Sequence, residues 1–273
     1  MQQALPPLEL QPGSPAMRLN RLKPDELRRR LALFLDIDGT LIDLAATPQS
    51  VVVPDTLMIV LRTLELQLDG ALALVTGRSL TDVDRLFSTH RFVVGAQHGG
   101  EMRGPARQPR QELIFVAALN RLRPRIETIL PSWKGLLLED KGRSIAIHYR
   151  QNPGVAYELK ATLHRLIATE ADALELLEGK FVFEIKPKNF DKGDVVRALM
   201  LVDPFRGRLP IFIGDDETDR AGMAASRAHS GCAIRVGDKR DLLADGFLPS
   251  PAATRAWLRE LSIRFDRGVN AAQ

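Results

Sequence analysis

The amino-acid sequence predicts an α/β fold, a doubly wound parallel sheet core interrupted by an inserted α+β domain. Three apolar runs, Leu31–Leu35, Ala71–Val75 and Leu209–Ile213, contain no polar residue, which is typical of strands buried on both faces of a parallel sheet. Helical segments separate these runs, and the middle of the chain changes to paired short strands. A chain of 273 residues is long enough for one large domain or two smaller ones.

The first part of the predicted core is a βαβαβ unit. The strand 31–35 precedes a helix at 54–68, because a Pro-Asp pair suits a helix start and four leucines recur on one helical face. A strand at 71–75 comes next, followed by a helix that begins near Leu80 and a strand at 92–94. Such alternation predicts parallel neighbours joined by right-handed crossovers.

The middle of the chain predicts a separate domain inserted at 106–186. Its expected elements, in order, are a helix at 111–130, strands at 134–138 and 144–149, a helix at 154–169, and strands at 173–177 and 180–185. The charged Gly-containing turn between the first two strands indicates a hairpin. Adjacent hairpins predict an antiparallel sheet, unlike the flanking pattern.

The core resumes at residue 187. Its remaining predicted elements are a helix at 194–201, strands at 209–213 and 232–236, and a closing helix at 253–265. We therefore expect the core to comprise 30–105 and 187–273. Residues 1–29 are rich in Pro, Gln and Gly at their start, so we expect a flexible tail there.

Composition excludes several classes of function. The net charge of +4 comes without a basic stripe or interleaved aromatic residues, so we expect a small anionic substrate and no nucleic-acid partner. No apolar run approaches the roughly 20 residues that span a bilayer, and the first residues lack a secretory pattern. We expect no membrane association and a cytoplasmic location. The single cysteine, Cys232, excludes a disulfide framework and a cysteine-based zinc site.

Two carboxylates directly follow the first predicted strand. Asp36 and Asp38 would lie at the carboxyl end of that strand, where open α/β sheets bind their ligands. Placing two like charges together in a buried position is costly unless a cation neutralises them. Oxygen ligands in small number suit magnesium. The alternative is an Asp-rich turn that caps the strand.

Three further signals stand at predicted strand ends or helix starts. Thr76 could bind a phosphoryl oxygen; the alternative is that the segment simply caps the next helix, through Ser79 or Thr76. Lys192 lies at a helix start, where a lysine is usually solvated. Asp215, Asp216 and Asp219 form an acidic loop that could hold a divalent cation or favour the dipole of the following helix.

These signals, in order, resemble the four motifs of phosphatases of the haloacid dehalogenase (HAD) superfamily. The matching segments are Asp36-Ile37-Asp38-Gly39-Thr40, Thr76-Gly77-Arg78, Lys192, and Gly214-Asp215-Asp216-Glu217-Thr218-Asp219. The resemblance extends over about residues 30–265. It implies an HAD-like core, and an insert between the second and third motifs is similar to the cap domain of the larger-capped branch.

Further segments resemble signatures of trehalose-6-phosphate phosphatases. They are Gly95-Ala96-Gln97-His98-Gly99-Gly100-Glu101, Glu139-Asp140-Lys141-Gly142, Ala146-Ile147-His148-Tyr149-Arg150, and Glu184-Ile185-Lys186-Pro187. This resemblance implies hydrolysis of trehalose 6-phosphate, a step of trehalose biosynthesis, and a functional link to a trehalose-phosphate synthase. The chain departs from the family at Arg220, where a Glu is usual.

The resemblance also implies roles for individual residues. Asp36 would be the nucleophile and Asp38 the general acid and base, while Thr76 and Lys192 would neutralise the transferring phosphoryl group. Magnesium would be held by Asp36, the Asp38 backbone carbonyl and Asp215, with Asp216 or Asp219 orienting this set. The residues implied to bind substrate are Gly77, Arg78, His98, Glu101, Glu139, Lys141, His148, Arg150, Glu184 and Lys186.

Several alternatives stay open at this point. Strand alternation places His148 and Arg150 on one face and Tyr149 on the other, so His148 could instead pack within the insert and Arg150 form a surface ion pair. A related HAD phosphatase acting on sucrose phosphate or mannosylglycerate phosphate would show the same motifs. A non-catalytic sugar-phosphate sensor is a third possibility, although sensing alone does not need a nucleophile such as Asp36.

Overall fold

A computed structural model describes residues 9–10, 22–44, 51–87, 90–106, 112–170, 173–188, 190–237 and 244–270. The chain divides into two compact units: unit 1 comprises 1–107 and 191–273, and unit 2 comprises 108–190. The start of the predicted helix at residue 111 and most of the predicted tail lie outside the described residues.

The described residues contain twelve strands and eight α-helices. The strands are β1 Glu9–Leu10, β2 Leu31–Leu35, β3 Leu72–Val75, β4 Val93–Ala96, β5 Glu101–Arg103, β6 Leu137–Asp140, β7 Ile145–His148, β8 Leu174–Gly179, β9 Val182–Pro187, β10 Leu209–Gly214, β11 Cys232–Val236 and β12 Gly246–Leu248. The helices are α1 Pro24–Arg30, α2 Asp55–Gln67, α3 Leu80–Leu86, α4 Glu112–Ile129, α5 Ala156–Ile167, α6 Lys192–Leu199, α7 Arg220–Ala228 and α8 Pro251–Asn270.

Unit 1 is built on a mixed sheet with the strand order β1-β12-β11-β10-β2-β3-β4-β5. Its six central strands pair in parallel, while β1 and β5 pair antiparallel at the two edges. Strands β2, β3 and β10 are almost entirely buried because their sequences are continuously apolar. The predicted α/β fold with a parallel core is confirmed.

The strand order reverses between β2 and β10. From β2 the chain winds through α2 to β3, and from β10 it winds through α7 to β11 on the other side. Crossovers between parallel strands are right-handed as a rule, and these two run in opposite directions, so we expect their helices to cover opposite faces of the sheet. Helix α2 packs against α8, and α7 packs against α6. The sheet is therefore doubly wound, with a switch point between β2 and β10.

The edges of this sheet differ from the sequence-based prediction. Strand β12 and the edge strand β5 are short and were not indicated by any apolar run. Within the region 1–29, Glu9–Leu10 pair with β12 and helix α1 spans Pro24–Arg30. That described part differs from the flexible tail expected there, because Leu27 of α1 is buried and the helix packs against α8.

Unit 2 is an antiparallel sheet with the order β6-β7-β9-β8 and two helices. Its core combines the apolar sides of the sheet and of α4 and α5, which pack on each other. The sheet residues in this core include Ile145, Ile147, Phe183 and Ile185. Because side chains alternate along each strand, the other sheet face carries Glu139, His148 and Glu184.

None of the helices in the described part of the chain is both long and apolar enough to cross a bilayer.

Candidate active site

Three carboxylates converge at the switch point of unit 1. Asp36 follows β2, and its amide donates a hydrogen bond of 3.0 Å to Ile213 O on β10, so the ends of the two strands are tied together. Asp215 and Asp219 follow β10. One carboxylate oxygen from each of the three acids lies within 4.8 Å of the others. The sheet topology thus brings Asp36 next to two acids that follow it by 179 and 183 positions in sequence, at 215 and 219.

Lys192 is the cation of this cluster. Its Nζ lies 2.6 Å from Asp36 Oδ1 and 2.6 Å from Asp219 Oδ1, and all three side chains are buried. The lysine is the first residue of α6, whose start is fixed by a reciprocal capping box between Asp191 and Asp194. A solvated lysine is therefore excluded for this position.

The cluster contains more negative than positive charge. Burial raises the pKa of Asp36 well above its ordinary value; the Lys192 charge lowers it, and the charges of Asp219 and Asp215 raise it further. Burial and the Asp219 charge raise the pKa of Asp215 to about 6. Burial disfavours the Lys192 ammonium, yet Asp219 and Asp36 raise the pKa of Lys192 overall.

Two glycines make room for the acids. Gly39 has φ +77°, and a Cβ there would come within 2.2 Å of Asp215 Oδ2. A Cβ at Gly214 would come within 2.3 Å of the Asp219 carboxyl carbon. The close approach of the two acidic segments therefore depends on the absence of a side chain at these positions.

The acidic loop after β10 is held by its own hydrogen bonds. Asp219 Oδ2 accepts from Asp216 N at 2.8 Å, and Asp216 Oδ1 accepts from Glu217 N at 2.6 Å. Among the described residues, Asp216 and Asp38 lie outside the group of three clustered carboxylates. Arg220, the departure from the family pattern, is exposed and pairs with Glu217 at 2.8 Å. A metal role for Asp216 and Asp38 stays a prediction.

Asp38 is bound by the arginine of the second motif. Arg78 Nε lies 2.6 Å from Asp38 Oδ2, and Arg78 Nη2 lies 2.5 Å from Asp38 Oδ1. The Arg78 amide donates to Thr76 Oγ1 at 3.1 Å, so the buried threonine hydroxyl accepts one bond and retains its own hydrogen as a donor. Thr76 does not cap α3; that role belongs to Ser79.

The remaining residues of unit 1 that were predicted to bind substrate lie in or contact the segment 76–80. Gly77 packs against the ring of His98, since a Cβ would approach its Nε2 to 2.7 Å. The buried His98 has φ +56°, and its amide donates to Thr76 O at 3.0 Å. Glu101 accepts from the amide of Leu80 at the start of α3. Direct binding of substrate by these residues stays a prediction.

In unit 2, two glutamates are each held by a neighbouring side chain. Glu139 Oε2 lies 2.7 Å from His148 Nε2. Burial raises the pKa of Glu139, but the hydrogen bond from His148 and the Lys141 charge lower it overall. Glu184 Oε2 accepts from Lys141 Nζ at 3.1 Å. These four residues share the polar side of the unit 2 sheet.

Three other residues of unit 2 have structural partners. Lys186 is buried and bonds to Glu175 and to the backbone carbonyl of Phe190. The Arg150 guanidinium lies 5.3 Å from the centroid of the Phe181 ring, a cation–π contact, and within the described part of the chain the surface ion pair considered above is not found. Tyr149 stacks on Phe183, on the core side of the sheet. A direct role for Lys186 and Arg150 in substrate binding stays a prediction.

Two residues outside the predicted set complete the site in unit 1. Thr40 Oγ1 donates to Asp215 Oδ1 at 3.4 Å, and the threonine was indicated only by its place in the first motif. Arg235 is buried at the end of β11 and donates to Asp216 O at 2.7 Å. In the sequence, Arg235 could have been noticed because it is the charged residue in the otherwise apolar run Cys232–Val236.

A buried aspartate lies at the switch point of a doubly wound sheet, with a lysine and further acids around it. The same fold is found in a solved HAD-superfamily phosphatase of Bacteroides thetaiotaomicron, which is 15% identical, with a TM-score of 0.51 and coverage of 86% of this chain and 96% of that one. A sequence model of the trehalose-phosphatase family matches residues 34–244. The chain therefore belongs to the trehalose-phosphatase family, a family of phosphoric monoester hydrolases.

Individual relatives agree with this assignment. A probable trehalose-phosphate phosphatase of Sinorhizobium fredii is 40% identical over 233 residues, covering 85% of this chain and 88% of that protein. The trehalose-6-phosphate phosphatase of Escherichia coli is 37% identical over 212 residues, covering 78% of this chain and 79% of that protein. The solved C-terminal domain of a Candida albicans trehalose-6-phosphate phosphatase has the same fold, with 20% identity, a TM-score of 0.77, and coverage of 94% of this chain and 99% of that one.

Proposed function

We propose that the protein is a magnesium-dependent phosphatase that hydrolyses trehalose 6-phosphate to trehalose and phosphate through an aspartyl-phosphate intermediate. The observation that carries this proposal is the Asp36 carboxylate, buried at the switch point and bonded to Lys192 at 2.6 Å. A trehalose phosphate is also the substrate named for the relatives in S. fredii and E. coli. A trehalose-phosphate synthase would supply that substrate.

The carboxylate cluster fits a magnesium ion. Asp36, Asp215 and Asp219 offer three oxygens within 4.8 Å of one another, and hard oxygen ligands are those that magnesium prefers. Lys192 supplies one positive charge against three carboxylates, which leaves an excess of negative charge in a largely buried place. When bound, magnesium would polarise a phosphoryl oxygen and neutralise this excess. Asp36 and Asp215 are the residues that would hold it, with Asp219 as the third acid.

In the first step, a carboxylate oxygen of Asp36 attacks phosphorus as the bond between phosphorus and the sugar oxygen breaks. Asp38 gives its proton to the departing sugar oxygen, so the sugar leaves as a neutral alcohol. Arg78 donates to both oxygens of the ionised Asp38 carboxylate, and when Asp38 carries a proton its carbonyl oxygen can still accept from Arg78, which keeps the group oriented.

In the second step, water attacks phosphorus and Asp38 takes the proton that the water loses. The bond between phosphorus and Asp36 breaks, which restores the carboxylate and releases phosphate. Lys192 and Thr76 present an ammonium and a hydroxyl donor, which stabilise charge on the phosphoryl oxygens in both steps.

Recognition of the sugar is assigned to the polar side of the unit 2 sheet. A disaccharide presents many hydroxyl groups, which require paired donors and acceptors. Glu139, Lys141, His148 and Glu184 offer acceptors and donors on the same side of one sheet. Fixed polar groups of this kind can reject a sugar that lacks the matching hydroxyl.

Phosphate release from a panel of sugar phosphates tests the proposal. The panel contains trehalose 6-phosphate, sucrose phosphate, mannosylglycerate phosphate and simple hexose phosphates, each measured with magnesium and with a chelator. We expect magnesium-dependent release that is selective for trehalose 6-phosphate. Selective release from another member of the panel would overturn the substrate, and absence of release from every member would indicate a sensor.

A further inference from the structure

A serine that none of the motifs includes contacts one of the proposed sugar-binding acids. Ser144 lies directly before β7, and its side chain is buried. Its Oγ donates a hydrogen bond of 2.6 Å to Glu184 Oε1 on β9. We propose that Ser144 is a positioning residue for substrate selectivity, which acts by fixing the Glu184 carboxylate; this inference rests on the sugar-binding role proposed above for Glu184.

The direction of this hydrogen bond follows from chemistry. An ionised carboxylate has no hydrogen to give, so the serine hydroxyl must be the donor. Lys141 Nζ donates to the other oxygen, Oε2, at 3.1 Å. Each oxygen of Glu184 is thus bonded to a different side chain, and both donors come from the turn between β6 and β7. Two bonds to two oxygens restrict rotation about the last side-chain torsion of Glu184.

The backbone makes this arrangement stiff. The turn is closed by a hydrogen bond of 3.0 Å from Lys141 N to Ser144 O. Glu184 is on β9, where Ala146 of β7 is its direct antiparallel partner. Ser144 precedes Ala146 by two residues, so the two side chains point to the same side of the sheet. The serine therefore reaches Glu184 diagonally between neighbouring strands.

Burial explains why the serine matters. The whole Glu184 residue is 6% exposed, and a buried carboxylate is costly unless its oxygens are hydrogen bonded. Glu139, its counterpart on β6, is hydrogen bonded to His148, although the Lys141 charge acts on both acids. Loss of the Ser144 hydroxyl should consequently disturb Glu184 while the Glu139–His148 pair keeps its contact. A carboxylate in several orientations binds a sugar hydroxyl less well than one that is already oriented.

The test compares Ser144→Ala with Ser144→Thr, which keeps a hydroxyl group, and with Ser132→Ala, a change at an exposed serine of the same unit. The full chain is assayed with the sugar phosphate that the wild type prefers in the panel and with p-nitrophenyl phosphate, which has no sugar. We expect Ser144→Ala to raise KM for the sugar phosphate about tenfold, with a smaller change in kcat. The preference for the sugar phosphate over p-nitrophenyl phosphate should fall by a similar factor, while Ser144→Thr should restore most of it and Ser132→Ala should match the wild type.

A double-mutant cycle with Glu184→Gln shows whether the serine acts through Glu184. We expect Ser144→Ala to change KM less than about twofold when Glu184 is already Gln. An equal loss of activity on both substrates, an unchanged KM, or the same change in KM in both backgrounds would overturn the inference.

The outcome for the wild type separates this inference from the proposed function. A wild type that prefers another sugar phosphate would overturn only the proposed substrate, since the Ser144 variants are measured on the preferred one. A wild type that hydrolyses p-nitrophenyl phosphate but no sugar phosphate would overturn both.

Discussion

Arg78 forms a bidentate ion pair with Asp38: Nε donates to Oδ2 at 2.6 Å, and Nη2 donates to Oδ1 at 2.5 Å. The guanidinium matches the geometry of a carboxylate in a way that a lysine ammonium does not. Asp38 therefore has one defined orientation, although its side chain is 30% exposed. The proposed transfers of a proton to the sugar oxygen and from water both depend on that orientation.

Replacement of Arg78 by Lys should lower kcat by about ten- to a hundredfold, because a misplaced acid loses much of the benefit of general acid–base catalysis. Steady-state kinetics on the preferred sugar phosphate measure this effect. Arg85→Lys is the matched control, since Arg85 lies on α3 and forms an exposed ion pair with Asp82. An Arg78→Lys variant with the same kcat as the control would contradict the positioning role.

Gly39→Ala should abolish most activity and destabilise the protein. The new Cβ would collide with the Asp215 carboxylate, and the residue would also have to adopt a positive φ, which costs about 1–2 kcal/mol for a residue with a side chain. Gly207→Ala separates the two causes, because Gly207 has φ +74° but no atom within 4 Å of its Cβ position. We expect Gly207→Ala to lose stability only because alanine must adopt a positive φ there, and to keep its activity. Denaturant unfolding and kcat measure both, and equal effects of the two changes would contradict the close approach of Gly39 and Asp215.

Much of this site could be predicted from the sequence, because acidic residues at the ends of apolar strands must converge when the strands are parallel neighbours. Asp36, Asp215 and Asp219 were predicted in this way, whereas Lys192 was predicted from its resemblance to the third motif. The residues that hold the proposed site residues in position were not predicted from the sequence. Ser144 precedes a strand like many serines, and nothing in its local sequence indicates that Glu184, 40 residues away, is its acceptor.

The fold, like the site, could be predicted from the sequence only in part. The strand at 31–35 has the predicted bounds because its five residues are all apolar and all buried. The edge strand Glu101–Arg103 has mostly polar residues that are half-buried, so its sequence has no strand periodicity to detect. The short strands β1 and β12 at the opposite edge depend on pairing with distant segments, which no local pattern encodes.

The metal-free protein should become more stable when Asp215 is replaced by Asn. Burial raises the pKa of Asp215 to about 6 from the ordinary 3.8, so the native state binds this proton more tightly than the unfolded state. The contribution of Asp215 to the free energy of unfolding therefore falls as pH rises through that interval and stays reduced above it. In chelator at about pH 8 we expect the Asn variant to be more stable by about 1 kcal/mol, and near pH 4 we expect the difference to vanish.

With magnesium bound, the wild type should instead be more stable than the Asp215→Asn variant. A cation that binds only the native state stabilises it by mass action, and the Asn variant lacks one of the proposed ligands. Thermal melts with and without magnesium measure the change in Tm, with Asp203→Asn as a control because the Asp203 side chain is 80% exposed. A variant that gains as much Tm from magnesium as the wild type would exclude Asp215 as a ligand.

As the proposed nucleophile, Asp36 should become covalently phosphorylated during turnover. Rapid quenching of the enzyme with its sugar phosphate, followed by borohydride reduction, converts an aspartyl-phosphate to homoserine, which peptide mass spectrometry locates. We predict homoserine at position 36 and unchanged aspartate at 38, 215 and 219, with no conversion in Asp36→Asn. Conversion at another aspartate, or sustained turnover by Asp36→Asn, would contradict the account.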